Sequence, residues 1–461
     1  MIGPHITICG TIETLSPLHV GTGEVVELPR RQGDNETTEV ALVALDYRGR
    51  PYLPGSSIKG IMRSLLAGNI AQQESLFGPE TIEDQENAFA GSVIIWNARL
   101  ETEQPLPELT HVPRQDVSHA RFQNETLGSR GLFVDARTAI DPKTGVADDR
   151  KLFHQMLVAP NTKFKFEACI DAKRASSEEA AILGKLLAHM MADDGISVGK
   201  SSRIGHGRIR LSELYNVHAI PSVDECNAGI WELLNNIQPG SLARSSVCSS
   251  RLTLTCDGPY LVADSAKARK PTKAEEQSKE PHLSPLVEGD GTRPRLPGAT
   301  LIGALRNRAL WLERLVDPEA RDRRDHVHEW RDGAGRLERV ERLFGVAGWR
   351  GLVKVDRIEF TGTPQPLEMA SQDITSVKID RFSAAPIDGG LYTTRAWLAP
   401  RFEVSLVLED RKNVLDESDR ALFQRLVKSL HEDGLMLGHG TSKGYGWFIV
   451  QETDQVGERT A

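Results

Sequence analysis

The sequence predicts an α+β protein made of two tandem copies of one domain. Three observations predict it. First, a glycine-rich stretch occurs twice, Gly195-Ile196-Ser197-Val198-Gly199-Lys200-Ser201-Ser202-Arg203-Ile204-Gly205-His206-Gly207 and Gly434-Leu435-Met436-Leu437-Gly438-His439-Gly440-Thr441-Ser442-Lys443-Gly444-Tyr445-Gly446, with all four shared glycines at a constant offset of 239 residues. Second, Ile140-Asp141 recurs at that offset as Ile379-Asp380, and Asp149…Leu152-Phe153 recurs as Asp388…Leu391-Tyr392. Third, strand-like and helix-like segments run in the same order before each glycine stretch. A repeat with so long a period marks duplicated domains rather than a solenoid. The halves are read as residues 1–216 and 248–453, joined by 217–247.

The first half opens on His5 to Leu15, which alternates apolar and polar as a half-buried strand does. Pro17-Leu18-His19-Val20-Gly21-Thr22-Gly23 is a turn, 24–39 a polar loop, and Val40 to Tyr47 a second strand. Arg48-Gly49-Arg50 turns the chain into Pro51-Tyr52-Leu53-Pro54, after which Gly55-Ser56-Ser57-Ile58-Lys59-Gly60 opens a helix with a serine available as N-cap. Leu76-Phe77-Gly78 ends the next turn, and Gly91 to Trp96 is an apolar, central strand. His111 to His154 reads as a protruding hairpin, and Thr162 to Ile170 alternates again. Ser176 with Glu179 forms a capping box for a helix whose apolar face is Ile182, Leu183, Leu186, Leu187 and Met190, with Gly195 as its C-cap.

The second half restarts at Arg251-Leu252-Thr253-Leu254-Thr255. Residues 264–284 are rich in Lys, Glu, Ala, Ser and Pro, a composition that buries little apolar surface. Leu296-Pro297-Gly298-Ala299-Thr300-Leu301-Ile302-Gly303 repeats the helix opening, and Leu343-Phe344-Gly345 repeats 76–78. Gly351 to Phe360 is the second central strand, 371–395 the second hairpin, and Ser418 to Gly434 the second late helix. Strand–helix–strand–strand–helix–strand, twice, is a ferredoxin-like order.

Composition leaves the function open. The chain has 461 residues, 39% hydrophobic and 26% charged, with room for two or three domains. No apolar run reaches the roughly 18 residues of a membrane helix, and no signal peptide is evident. Five cysteines without CxxC spacing read as reduced cytosolic residues, so a cytoplasmic location is expected. A net charge of −8 argues against wholesale phosphate binding, so any RNA site must concentrate its cations locally.

Two features supply such cations. The opening at 55–60 combines unpaired backbone N–H groups, small residues and one lysine, a ready phosphate site; taken alone, it reads rather as a tight turn with Lys59 solvated. Ile302 stands where Lys59 stands, so phosphate binding in the second half is weaker or relies on Arg306 and Arg308. The glycine stretches let backbone approach a ligand closely, with Lys200 and Arg203 in one copy and His439 and Lys443 in the other. Asp325-His326-Val327-His328-Glu329 looks like a metal cluster but reads as a solvated helical face.

Leu18-His19-Val20-Gly21, Tyr52 to Arg63, Leu76-Phe77-Gly78 and the Gly-Lys-Ser-Ser-Arg-Ile-Gly-His-Gly loop, in that order, resemble the RAMP superfamily, and more narrowly the backbone subunits of type III CRISPR effector complexes. The tandem fusion is similar to the multi-domain subunits of the type III-D branch. The resemblance implies RRM-related, ferredoxin-like domains that bind guide CRISPR RNA through His19, Ser56, Ser57, Lys59, Arg63, Lys200, Arg203, His206, Arg306, His439, Lys443 and Tyr445. It implies thumb hairpins at about 135–155 and 376–395 that wedge between guide and target, with Ile140, Asp141, Leu152, Phe153, Ile379, Leu391 and Tyr392 as candidates. It implies partner backbone and large subunits and no membrane. It also implies cutting of target RNA beside an acidic residue with a divalent metal, expected to be Mg²⁺. Asp34 is the expected catalytic and metal-binding residue, Glu39 the second choice, and His282 stands nearest the corresponding place in the second half. Two alternatives remain: a structural subunit that cuts nothing, and a metal-independent guide-processing endoribonuclease using His19.

Overall fold

The computed structural model describes residues 5–29, 37–66, 69–79, 89–101, 131–140, 147–220, 228–240, 246–264, 280–288, 291–322, 337–410 and 414–456. The chain divides into two units. The first takes Met1–Thr138, Asp149–Ser202 and His206–Arg244; the second takes Ala139–Asp148, Arg203–Gly205 and Ser245–Ala461.

In the first unit the alternation at the start becomes β1 (His5–Thr14), whose Ile6, Ile8 and Ile12 are fully buried. There follow β2 (Gly21–Pro29), β3 (Thr37–Val43), β4 (Tyr52–Leu53), α1 (Gly55–Leu65), α2 (Ile70–Phe77), β5 (Val93–Ile95), β6 (Ala98–Leu100), β7 (Leu132–Ile140), β8 (Ala147–Val158), β9 (Lys163–Asp171), α3 (Ser177–Met191), β10 (Ile196–Ser197), β11 (Arg208–Ile220) and α4 (Ala228–Asn235). The main sheet runs β10-β11-β1-β9-β6-β4, with β5 also paired to β9. A smaller sheet runs β2-β3-β8-β7. Ser176 and Glu179 form the expected capping box, and the expected apolar face of α3 is buried against the sheet. Hydrophobic burial of that stripe holds the helix in place.

The second unit repeats the plan. β12 (Ser246–Cys256) and β13 (Pro259–Tyr260) precede α5 (Gly298–Val316) and α6 (Arg339–Phe344), then β14 (Val353–Phe360), α7 (Leu367–Ala370), β15 (Ser371–Ile379), β16 (Pro386–Leu398), β17 (Arg401–Glu409), α8 (Glu417–Asp433), β18 (Leu435–Met436) and β19 (Trp447–Val456). Its main sheet runs β14-β17-β12-β19-β18, and β13, β16 and β15 form a second sheet. Tyr260 meets Phe402 and Phe448 edge-on in the second core, and the two phenylalanine rings are tilted against each other, with all centroids 5.5–6.1 Å apart.

Several sequence expectations change. The strands at 91–96 and 351–360 are not central: among the described strands β5 pairs with β9 and β14 with β17, and beyond that β14 has a single bridge, from Val355 to Ile204. Their apolar residues are buried by the layer packed on one face, not by flanking strands. Residues 24–39 are not wholly loop, because Val25 to Pro29 pair with Thr37 to Ala41. Neither serine caps α1. Its N-cap is Pro54, and the Gly55 N–H donates to Asn97 Oδ1 at 2.9 Å. Gly195 is not the C-cap of α3, which ends at Ala192; Gly434 does close α8. The stretch read as a linker holds α4, whose Ile230 and Leu234 are buried in the first core.

One contact recurs in both units. The Gly207 N–H donates to the Pro17 carbonyl and the Val198 N–H to the Gly207 carbonyl, each at 2.8 Å. In the second unit, Gly446 donates to the Pro259 carbonyl at 2.8 Å and Leu437 to the Gly446 carbonyl at 2.9 Å. Gly207 and Gly446 have φ of +79° and +68°, and a Cβ on either would run into the carbonyl oxygen of Val198 or Leu437. Both strain and collision act on the same atom, so Gly207→Ala and Gly446→Ala should each cost more than about 1 kcal/mol. Urea unfolding of each variant beside the wild type measures it.

Candidate nucleic-acid interface

Each glycine loop is seated on the turn that follows the first strand of its repeat. In the first unit the Lys200 N–H donates to the His19 carbonyl at 2.9 Å. In the second, the His439 N–H donates to the Leu261 carbonyl at 2.6 Å. The backbone contact is therefore kept while the side chain changes, from a buried imidazole to a buried leucine.

His19 is 4% exposed, and its Nδ1 lies 2.8 Å from the Met156 carbonyl oxygen. Burial pushes its pKa down, and the Lys200 and Arg137 cations add to this, while the Met156 carbonyl works the other way. The imidazole belongs to the packing of the turn.

Each loop is also tied to its own hairpin by a cation. Arg137, near the end of β7, pairs with Asp135 at 2.9 Å and donates to a ring nitrogen of His206 at 3.1 Å and to Ser201 Oγ at 3.4 Å. In the second unit Lys443 Nζ bonds the Tyr392 hydroxyl on β16 and lies 4.6 Å from that ring's centroid. Tyr445, buried at the place matching His206, reaches Thr394 Oγ1 at 3.5 Å. His206 and Tyr445 thus serve the loop-to-hairpin contact.

The cations expected from sequence separate into two kinds. Arg63 donates to the Gly78 carbonyl, and Arg306 donates to the Gly345 carbonyl at 2.7 Å and pairs with Asp322. Both close the Leu-Phe-Gly turn of their repeat. Arg203, in the second unit, donates to the carbonyls of Phe344 at 3.0 Å and Val353 at 3.1 Å. Burial, with Arg350 and Arg306 nearby, pushes its pKa down to about 10. These three arginines act as structural pins. Lys59 is half-buried and makes no hydrogen bond or ion pair among the described residues; burial and then Arg63 lower its pKa. Lys200, His439 and Ser56 are exposed, and Ser57 is half-buried. Sequence spacing could not tell a pin from an open cation, because both stand on the same motif.

The second hairpin presents apolar surface to solvent. Ile379 is 58% and Leu391 43% exposed, and Phe382, in the turn between the strands, is fully exposed. Asp380 holds that turn by accepting from the Ser383 N–H and hydroxyl and from the Phe382 N–H, which lower its pKa. Phe382 was not singled out from the sequence, since an aromatic in a polar turn has no periodicity to mark it. Phe153 on β8 is 48% exposed. Ile140 and Leu152 lie on β7 and β8, and Asp141 falls outside the described residues.

Asp34 and the 325–329 cluster also fall outside the described residues. Glu39 is exposed on β3 directly opposite exposed Glu27 on β2. Two hard oxygen donors suit Mg²⁺, which is often held by one or two carboxylates together with substrate phosphate. Among the described residues there is no group of three or more potential metal ligands. His282 accepts the Thr393 N–H on Nδ1 at 2.9 Å, a bond that fastens its segment to β16.

The family model of the RAMP superfamily matches residues 11–210 and 253–449. No curated protein matches the chain. No helix among the described residues is long and apolar enough to cross a membrane.

Lys59→Ala should weaken single-stranded RNA binding and lower its salt slope by about 0.7 without changing the melting temperature. Arg63→Ala should do the reverse, costing about 1.5–3 kcal/mol of stability through the lost charged hydrogen bond. Fluorescence anisotropy across a salt series, beside thermal melts, separates the two. His19 should also make the first unit acid-sensitive. Its pKa is lower folded than unfolded, so its stabilising contribution is complete above about pH 6.5 and lost as pH falls below it. In melts from roughly pH 7 to 5, His19→Gln should show a shallower decline than the wild type.

Proposed function

The chain belongs to the RAMP superfamily of CRISPR-associated RNA-binding proteins, and from that premise we propose that it is a two-repeat backbone subunit of a type III effector complex. It would hold guide RNA along Lys59, Lys200 and His439 and kink the guide–target duplex with its hairpins. The observation that carries this reading is the second hairpin, whose Ile379, Phe382 and Leu391 leave apolar side chains in water. Such residues serve a protein that inserts them between stacked bases. Sheet order supports the ferredoxin-like reading: β11-β1-β9-β5 in one unit and β19-β12-β17-β14 in the other follow the same plan.

Cleavage of target RNA belongs to the first repeat in this reading. Attack by a ribose 2′-hydroxyl on the adjacent phosphorus expels the 5′-oxygen and needs a base beside the attacking group. Asp34, with Glu39 as second choice, would take that proton, and these carboxylates with Glu27 would hold a divalent ion beside it. When bound, the ion supplies charge stabilisation at the scissile phosphate. The second repeat would hold target without cutting, since His282 already spends Nδ1 on the backbone. The packing of His19 favours this reading over a metal-independent guide-processing enzyme.

The test uses the complex purified with its guide and a labelled complementary RNA, in Mg²⁺ or EDTA. Asp34→Ala or Glu39→Ala should abolish one metal-dependent cut with target binding intact. An unchanged cut pattern in both variants would remove these residues from catalysis, and no metal-dependent cut in the wild type would leave a scaffold.

A further inference from the structure

The first unit carries a cleft of about 510 Å³ whose lining includes Tyr47, Arg48, Arg50, Asn97 and Arg99. That volume lies in the range of small-ligand sites, about 300–1,000 Å³. One wall is a turn fixed by Asp46, which accepts from the Arg48 and Arg50 N–H groups at 2.9 Å each and from Arg50 Nε at 2.8 Å. On this rigid support Tyr47 stands 80% exposed, with the Arg48 guanidinium 5.2 Å from its ring centroid. Asp46 neutralises Arg50. Arg48 and Arg99 are exposed and have no carboxylate partner among the described residues. Asn97 joins the cleft to the start of α1 through the Gly55 N–H.

The second unit shows which of these features the fold requires. Its matching turn keeps the backbone bonds: Glu288 N–H to the Arg293 carbonyl at 3.0 Å and Gly291 N–H to the Glu288 carbonyl at 2.8 Å, as Asp46 bonds Arg50 and Gly49 bonds Asp46. In sequence, however, Gly289 and Asp290 follow Glu288 where Tyr47 and Arg48 follow Asp46. The bonds among Glu288, Gly291 and Arg293 therefore form without a tyrosine or an arginine at the two positions after Glu288. Their presence in the first repeat adds chemistry that the scaffold does not need.

We propose that this cleft is a subsite for one nucleotide of single-stranded RNA, with a base stacked on Tyr47 and its phosphate held by Arg48 and Arg99. The inference rests on the RNA-binding reading above and adds a place and a chemistry to it. Planar guanidinium groups match phosphate oxygens in fork geometry. Stacking on a tyrosine accepts any base, so the site reads position along the strand rather than sequence.

The experiment measures binding of a fluorescein-labelled single-stranded RNA 10-mer to the full chain across a salt series. Tyr47→Ala should weaken binding about tenfold with an unchanged salt slope, and Tyr47→Phe should bind as the wild type does. Arg48→Ala with Arg99→Ala should weaken binding and lower the slope by about 0.7. These side chains are exposed, and melts should match the wild type. If the cleft variants bind normally while Lys59→Ala does not, the subsite is overturned and the RNA-binding reading stands. If the wild type binds no RNA, both fall. In the assembled complex, 4-thiouridine placed in the guide or in the target should crosslink to Tyr47 from one strand, which identifies the source. Crosslinking from neither overturns the proposal.

Discussion

The structure depends on one backbone contact, made once in each unit: a glycine loop laid flat on the turn that follows the first strand. The loop can lie there only because Gly207 and Gly446 adopt positive φ and carry no Cβ. Close approach satisfies buried N–H and carbonyl groups in pairs, as buried backbone must be satisfied. Several groups near the candidate interface take their position from this seat. His19 is covered by the loop, the hairpins are tied to it by Arg137 and Lys443, and Lys200 and His439 are left on its outer side.

A second constraint shapes the ends of α2 and α6. Gly78 and Gly91 face each other without side chains, as do Gly345 and Gly351, and an arginine from the neighbouring helix donates to the carbonyl of the first glycine in each pair. Charge is spent here on geometry. The chain is acidic overall, so the cations that remain unpaired carry more weight. Among the described residues, Lys59, Lys200, Arg48 and Arg99 are four of these, all in the first repeat.

Divergence between the repeats follows from this division. Contacts made by backbone survive replacement of the side chain, as at His19 and Leu261. Contacts made by side chains were rebuilt: Arg137 reaches from hairpin to loop, whereas Lys443 reaches from loop to hairpin. The first repeat keeps open cations and an exposed acidic pair, Glu27 and Glu39. The second keeps an apolar hairpin tip and turns His282 and Arg306 to structural use.

The sequence by itself determined the duplication, the family resemblance and most elements, because glycine spacing, alternation and capping boxes are local and periodic. It also marked the motifs on which Lys59 and Arg63 stand. Tertiary structure alone decided which of these side chains are bonded within the fold. Arg63, Arg203 and Arg306 are pins and Lys59 is open because carbonyl acceptors 15 to 150 residues distant reach the arginines and not the lysine. The Tyr47 cleft was likewise invisible, since residues 47–50 and 97–99 meet only when β4 pairs with β6. Long-range pairing sets which charges are satisfied, and no local pattern encodes that.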